Sequence, residues 1–201
     1  LTDMPLTLFT TLALLSFFRA YETGKRIFYI LFWFCFSFGF LTKGPVAPAV
    51  VLAPIFFFLV YRKGIFDFLK KGMIPLGILI FVAVNFWFFL VDNKTNGAFT
   101  QSFFVKQIIK RGTKSIVGHA GIPFYYLIIL MFLAFPFFSC GVSGIFLAFR
   151  ERFSDLSKTR VGRLVIFSII SLFSSLFVFS LAATKLPHYV LPVFPFLGII
   201  S

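Results

Sequence analysis

Long apolar stretches alternate with short polar segments along the whole chain. A helix needs about 20 apolar residues to cross roughly 30 Å of hydrocarbon, and an isolated strand would leave its backbone groups unpaired in lipid. The pattern therefore predicts one all-α integral membrane domain over residues 1–201, a polytopic helical bundle of about six to seven spans. The predicted spans are residues 4–18, 27–42, 45–60, 73–91, 122–149, 164–182 and a last segment that enters near Tyr189.

Composition supports this assignment and excludes a soluble fold. Hydrophobic residues make up 60% of the chain and charged residues only 12%, and the mean hydropathy is +1.01, all in the range of integral membrane proteins. The 35 phenylalanines exceed what an aqueous core of this size could hide, whereas lipid solvates them. The net charge of +13 would favour nucleic acid in a soluble protein, but here the cations lie in loops between spans.

The loop charges predict which side of the membrane each loop faces. Three connections between spans hold 12 of the 19 Lys and Arg residues, so by the positive-inside rule they are predicted to be cytoplasmic. The opposite, extracytoplasmic face then receives Asp3, residues 42–45, the loop 92–121 and residues 185–189. The 12 cytoplasmic cations are Arg19, Lys25, Arg26, Arg62, Lys63, Lys70, Lys71, Arg150, Arg152, Lys158, Arg160 and Arg163.

The loop 92–121 locally breaks the positive-inside rule, with five cations and one carboxylate. Apolar spacing over residues 99–109 predicts an amphipathic helix at the interface, with anionic headgroups or lipid phosphate as counter-ions. His119 follows, and either a metal or phosphate contact or an ordinary hydrogen bond is consistent with a lone histidine there. Tyr125 and Tyr126 fit an aromatic belt. Four of the five cations of this loop form a basic cluster: Lys106, Lys110, Arg111 and Lys114.

Asp3 precedes the first predicted span in the sequence Thr-Asp-Met-Pro at 2–5. An Asp ahead of an early helical proline is a good N-cap, so capping is one interpretation. With Asp92, however, Asp3 is one of two carboxylates on the predicted extracytoplasmic side. A carboxylate at a membrane boundary that faces cations is also a candidate functional group.

Two tight connections carry single cations to the same face. In Thr-Lys-Gly-Pro at 42–45, Gly44 allows the turn and Pro45 begins the next helix, whose N–H groups beside Lys43 could cradle a phosphate. The alternative is a hairpin whose lysine snorkels to headgroups. Residues 183–189 form the second connection, with Lys185 and His188 near its tip. Together these features predict a concave, anion-binding site with Asp3 at its margin, and soluble-enzyme motifs are lacking.

Four segments in register resemble bacterial membrane glycosyltransferases similar to the lipid A aminoarabinose transferases. With the protein O-mannosyltransferases, these enzymes share the C-type glycosyltransferase (GT-C) fold. The resemblance implies transfer of a sugar, as a hexosyl or pentosyl group, from a polyprenyl phosphate donor to a lipid A, glycan or protein acceptor at the periplasmic face of the bacterial inner membrane. The four segments are residues 1–7, 40–46, 119–126 and 184–192.

The resemblance also implies roles for individual residues. Asp3 is similar to the second acidic position of the family and is the candidate catalytic residue. Lys43, Arg111 and Lys185 are implied ligands of the lipid phosphate. Further site contacts are expected at Gln107, His119, Tyr126, His188 and Tyr189.

Two expectations concern what accompanies this site. Relatives carry a His four residues before the position of Arg111, where this chain has Gln107; a divalent metal is thus left open as a cofactor, and Gln107 argues against one. We also expect the chain to be part of a longer protein, inactive alone, with earlier spans, the first periplasmic loop and its catalytic carboxylate, and a C-terminal part lying outside it.

Two other classes of protein compete with the enzyme. A transporter or flippase of an anionic lipid or lipid-linked sugar could use the same cations, but it should place carboxylates or interrupted helices near the bilayer midplane. The predicted spans contain almost no ionisable residues. A structural membrane subunit would leave the grouping of Asp3, Lys43 and Lys185 at one face without a reason.

Overall fold

In the computed structural model, every regular element within the described residues is helical. The structure describes residues 2–98, 125–135, 137–150, 153–181 and 186–201. A 3-10 helix, Pro187–Val193, lies between α9 and α10. The α-helices are α1 (Asp3–Thr23), α2 (Arg26–Lys43), α3 (Val46–Arg62), α4 (Ile65–Lys71), α5 (Ile74–Lys94), α6 (Tyr125–Leu133), α7 (Phe137–Arg150), α8 (Phe153–Leu156), α9 (Arg160–Leu181) and α10 (Phe194–Ile200).

Four of these helices, α1, α2, α5 and α9, are long and apolar enough to cross a membrane. Two bent pairs raise the number of spans to six if each counts as one: α3 with α4, bent by 119°, and α6 with α7, bent by 116°. The predicted all-α, polytopic membrane fold is therefore confirmed. The single span predicted over residues 122–149 is wrong in one respect, because the helix breaks between Leu133 and Phe137. The last predicted span is a short apolar segment, Pro187–Ile200.

Helix boundaries explain why the first predicted spans were too short. Helix α1 continues past residue 18 to Thr23 and ends where Gly24 adopts a left-handed conformation, with φ of 67°. Arg19 does not end the helix, because its guanidinium lies 5.5 Å from the centroid of the Phe28 ring on α2. A cation can therefore remain helical at the membrane boundary by lying over an aromatic face.

An aromatic cluster joins α1, α3 and α9 in the core. Phe17, Phe58 and Phe167 are fully buried, and Phe58 meets Phe167 edge-on with ring centroids 5.0 Å apart. Phe18 stacks on Phe167 at 5.3 Å. Offset and edge-on ring pairs of this kind add packing energy beyond the buried area. Other phenylalanines, such as Phe132, are largely exposed, as expected where lipid is the solvent.

Side-chain contacts give the relative directions of the helices. Trp33 on α2 donates to Gly72 O just before α5, at 2.8 Å, and Phe40 near the end of α2 packs against Phe81 further along α5. Helices α2 and α5 are thus parallel. Glu22 at the end of α1 bonds Arg163 at the start of α9, so these two helices are antiparallel. The start of α1 and the ends of α2, α5 and α9 consequently lie at one end of the bundle, as predicted when Asp3, residues 42–45, the loop 92–121 and residues 185–189 were assigned to one face.

Candidate active site at one end of the bundle

Asp3 occupies the first position of α1, and its carboxylate faces neighbouring elements. The N-cap is Thr2, which has helical backbone angles, and no side-chain capping hydrogen bond forms there. The capping interpretation of Asp3 is therefore wrong. Its Oδ1 instead pairs with the Lys43 ammonium, and both side chains are mostly buried, with 16% and 19% exposed. A carboxylate in the first helical turn is also favoured by the helix dipole.

Lys43 is the last residue of α2, and the turn that follows it sets its position. Gly44 has φ of 59° and ψ of −138°, and its N–H donates to Phe40 O at 2.7 Å. This positive φ favours glycine, which carries no Cβ. The α1–α2 hairpin is antiparallel with helices of 21 and 18 residues, so the first residue of one helix and the last residue of the other meet although 40 positions separate them.

The 3-10 helix supplies two further members of the site. His188 Nε2 lies 3.6 Å from Asp3 Oδ2, and 46% of the His188 side chain is exposed. The Tyr189 ring centroid lies 4.2 Å from Lys43 Nζ, a cation-π contact. The two rings stand perpendicular, 5.1 Å apart. Asp3 thus lies between a lysine on one oxygen and a histidine near the other, and the lysine rests on an aromatic face. These four residues are called the Asp3 cluster below.

The predicted row of outward N–H groups at the start of α3 is largely absent. Pro45 and Pro48 have no N–H. The N–H groups of Ala47 and Ala49 donate within the turn and helix, to Gly44 O and Pro45 O, each at 3.2 Å. A phosphate at this turn would therefore depend on the lysine side chain more than on a backbone cradle.

Tyr126 lies behind the Asp3 cluster instead of joining it. Its ring packs on Phe179, which in turn packs on Tyr189 with ring centroids 5.6 Å apart. The Tyr126 hydroxyl is buried beside the backbone of Leu186, but among the described residues no group meets it with hydrogen-bond geometry. Tyr126 supports the 3-10 helix from the α6 side, and its predicted role as a direct site contact stays a prediction.

Several predicted site residues fall in parts of the chain that the structure does not describe. The predicted amphipathic helix at 99–109 lies there as well. Within the described ranges, no group of three or more His, Cys, Asp or Glu side chains could hold a metal. Asp3 and His188 are the two such donors that the described residues bring together in this cluster. The site residues outside the described ranges are Gln107, Arg111, His119 and Lys185.

A cavity of about 510 Å³ lies elsewhere, between α7, α9 and α10. Its lining includes Cys140, Ser143 and Gly144 of α7, Leu156 of α8 and Val165 of α9. The cavity shares no residue with the Asp3 cluster.

Comparison with known proteins gives relatives over almost the whole chain. No protein-family model matches it. An uncharacterized protein of Aquifex aeolicus (strain VF5) is 33% identical over 174 residues, which cover 86% of this chain and 36% of that protein. The undecaprenyl phosphate-alpha-4-amino-4-deoxy-L-arabinose arabinosyl transferase of Photorhabdus laumondii is 26% identical over 197 residues, covering 94% of this chain and 34% of the relative. The chain is a distant homologue of the aminoarabinose transferases.

A solved aminoarabinose transferase has the same fold over the matched part. ArnT from Cupriavidus metallidurans bound to undecaprenyl phosphate superposes with a TM-score of 0.76 at 22% identity, covering 99% of this chain and 35% of that protein. The apo state of the same protein superposes with a TM-score of 0.75. The resemblance inferred from the four motifs is confirmed, whereas these relatives give no specific support to protein O-mannosylation. The chain spans about a third of the length of the aminoarabinose transferases it matches.

The sequence interpretation placed Asp3 at the margin of the site, and the structure places its carboxylate between Lys43 and His188. The cation-π contact of Tyr189 with Lys43 was missed. Its signal was present in the sequence, since a tyrosine that follows a loop predicted to face a lysine turn is a candidate partner for that lysine. The pairing of Asp3 with Lys43 could have been inferred from the lengths of the first two helices.

Proposed function

We propose that this chain forms the transfer site of an inner-membrane glycosyltransferase that moves a sugar from a polyprenyl-phosphate-linked donor to a lipid A or other glycan acceptor. The observation that carries the proposal is the Asp3–Lys43 pair, with His188 and Tyr189 around it, at the outward end of the bundle. The distant homology to aminoarabinose transferases supports the choice of donor.

Lys43 would stabilise the leaving group. Breaking the bond between the sugar and the phosphate leaves negative charge on the phosphate oxygens, and a fixed ammonium near a low-dielectric boundary stabilises that charge more than water-exposed cations do. An ammonium has three N–H donors. Asp3 and the Tyr189 ring occupy part of its surface, which leaves it able to donate to a phosphate oxygen without first abandoning Asp3.

Asp3 would act on the acceptor. A carboxylate beside the sugar can orient the attacking hydroxyl and accept its proton as the new glycosidic bond forms. Arg111 and Lys185 remain proposed phosphate ligands on the strength of the motif resemblance. The apolar spans would hold the prenyl chain and keep the donor phosphate at the membrane surface, so that the active site faces the periplasm.

Transfer can be tested with the full-length protein in membrane vesicles. The donor is undecaprenyl phosphate-linked aminoarabinose carrying a labelled sugar, and the measurements are label in lipid A and release of undecaprenyl phosphate. Lys43→Ala is expected to lower the transfer rate by about a hundredfold or more, because it removes a group that stabilises developing charge. Asp3→Asn is expected to lose transfer as well, with membrane expression retained.

A matched control is available at the other end of the bundle. Lys158 is exposed and paired with Asp155, so Lys158→Ala changes the same charge far from the site and should leave transfer intact. If Lys43→Ala and Asp3→Asn both turn over at the normal rate, the assigned roles are wrong.

One observation favours the transporter as a second candidate. The 116° break between α6 and α7 interrupts an apolar segment, which discontinuous transporter helices also do. No acidic or basic residue lies between Tyr125 and Phe149, so this break offers no ion-coupling group. In the vesicle experiment, movement of intact donor across the bilayer without release of undecaprenyl phosphate would support the transporter and contradict the enzyme.

A further inference from the structure

His188 faces the one oxygen of Asp3 that Lys43 does not hold. Lys43 pairs with Oδ1, and His188 Nε2 lies 3.6 Å from Oδ2, slightly beyond hydrogen-bond distance. We propose that His188 is a positioning residue that takes up a proton and holds the Asp3 carboxylate when the anionic head of the donor engages Lys43. This inference rests on the function proposed above and deepens it by coupling donor binding to a proton.

Charge balance within the Asp3 cluster is the reason why donor binding would bring a proton to His188. Without donor, the Asp3 carboxylate and the Lys43 ammonium neutralise each other. A phosphate that approaches Lys43 must share the ammonium with Asp3, whatever Arg111 and Lys185 contribute at the phosphate, so Asp3 loses part of the cation that faces it. Asp3 is only 16% exposed, so water compensates it poorly. A second cation beside Oδ2 restores the balance.

His188 is the described group able to supply that cation. Around it, α1 contributes Asp3 and α2 contributes Lys43, while the tyrosines of α6 and Tyr189 cannot become cationic. Helix α9 has no titratable group after Arg163, and α10 has none. Histidine is the side chain that gains a proton between about pH 5 and 8. With 46% of its side chain exposed, His188 can take that proton from water.

The sign of the pH effect follows from linkage. If the donor-bound state holds one more proton than the free state, lowering the pH favours binding. When undecaprenyl phosphate is the ligand, its phosphate monoester acts in the opposite direction, because it loses its second negative charge below about pH 6. The contribution of His188 is therefore isolated by the ratio of wild-type affinity to variant affinity at each pH, in which the behaviour of the ligand cancels.

The experiment uses the full-length protein in lipid nanodiscs with labelled undecaprenyl phosphate as the probe, titrated between about pH 5.5 and 8. His188→Gln keeps an N–H donor for Oδ2 but cannot gain charge. The wild type is expected to bind up to about tenfold more tightly than His188→Gln at the acid end, with the ratio falling towards one at the alkaline end. In transfer assays, the pH-dependent difference between the wild type and His188→Gln should appear in the KM for the donor more than in kcat.

His188→Phe separates positioning from simple packing. It keeps a ring against Tyr189 but presents no donor to Oδ2, so it should lower kcat at every pH, and His188→Gln should recover part of that loss. A ratio of wild type to His188→Gln that stays flat across the pH range overturns the proposal even when both proteins bind undecaprenyl phosphate. Absence of saturable binding by the wild type would overturn the proposed function as well, so the two failures are distinguishable.

Discussion

The carboxylate of Glu22 holds the guanidinium of Arg163 through two hydrogen bonds, Nε to Oε1 at 2.8 Å and Nη2 to Oε2 at 2.5 Å. Arg163 Nη1 also donates to the backbone oxygens of Ser157 and Lys158. One side chain thus joins the end of α1, the start of α9 and the turn that precedes α9. The pair lies at the end of the bundle opposite the Asp3 cluster, where it fixes how α1 and α9 meet.

Replacing Arg163 with Met should destabilise the protein without changing its affinity for undecaprenyl phosphate. Glu22 is 9% and Arg163 22% exposed, so the loss should be roughly 2 kcal/mol, less than the about 3–5 kcal/mol of a fully buried pair. The measurement is unfolding in detergent by denaturant or heat.

A double-mutant cycle with Glu22→Gln measures how much the two side chains stabilise each other. The double variant should be less destabilised than the sum of the two single variants, since one change already removes the interaction. Arg163→Lys should recover only part of the stability, because an ammonium cannot reproduce the two-point contact. Strict additivity would show that the two side chains do not stabilise each other.

Gly77 on α5 packs directly against the indole ring of Trp33, and a Cβ at this position would collide with that ring. Gly77→Ala should therefore cost about 1–3 kcal/mol by overpacking. It should also displace the indole that donates to Gly72 O. Trp33 fluorescence in a Trp87→Phe background would report this as a shift in emission, together with a lower unfolding midpoint.

Leu79 provides the comparison on the same helix. Its side chain is 64% exposed, towards lipid, so Leu79→Ala should change stability little and leave the Trp33 emission in place. Equal effects of Gly77→Ala and Leu79→Ala would mean that α5 does not pack on α2 through Trp33.

The proposed orientation predicts which loops an impermeant reagent can reach. Asn96 follows α5 at the end that holds the Asp3 cluster, and Lys158 precedes α9 at the opposite end; both are exposed. In a background without Cys35 and Cys140, a membrane-impermeant maleimide should label Asn96→Cys in intact cells. Lys158→Cys should react only after the membrane is opened. Labelling of both from the same side would contradict the threading on which the site depends.

Much of the fold followed from local pattern. Apolar length predicted the helices, because unpaired backbone groups are excluded from lipid, and loop charge predicted which ends lie together. Both features are properties of short segments, so they can be predicted without a structure. The break between Leu133 and Phe137 could not be placed this way, since apolar composition continues unchanged through the bend and only Pro136 in the sequence marks it.

By itself, the sequence determined that this is a polytopic membrane protein with Asp3, Lys43 and His188 at one face, and its motifs determined the resemblance. Only the tertiary structure decided that the Asp3 carboxylate contacts Lys43 and His188 and does not cap the start of its own helix. The pairing of Glu22 with Arg163 was also decided there, because 141 residues separate the two side chains. Such contacts depend on how whole helices pack, and helix packing is set by shape and volume across the bundle.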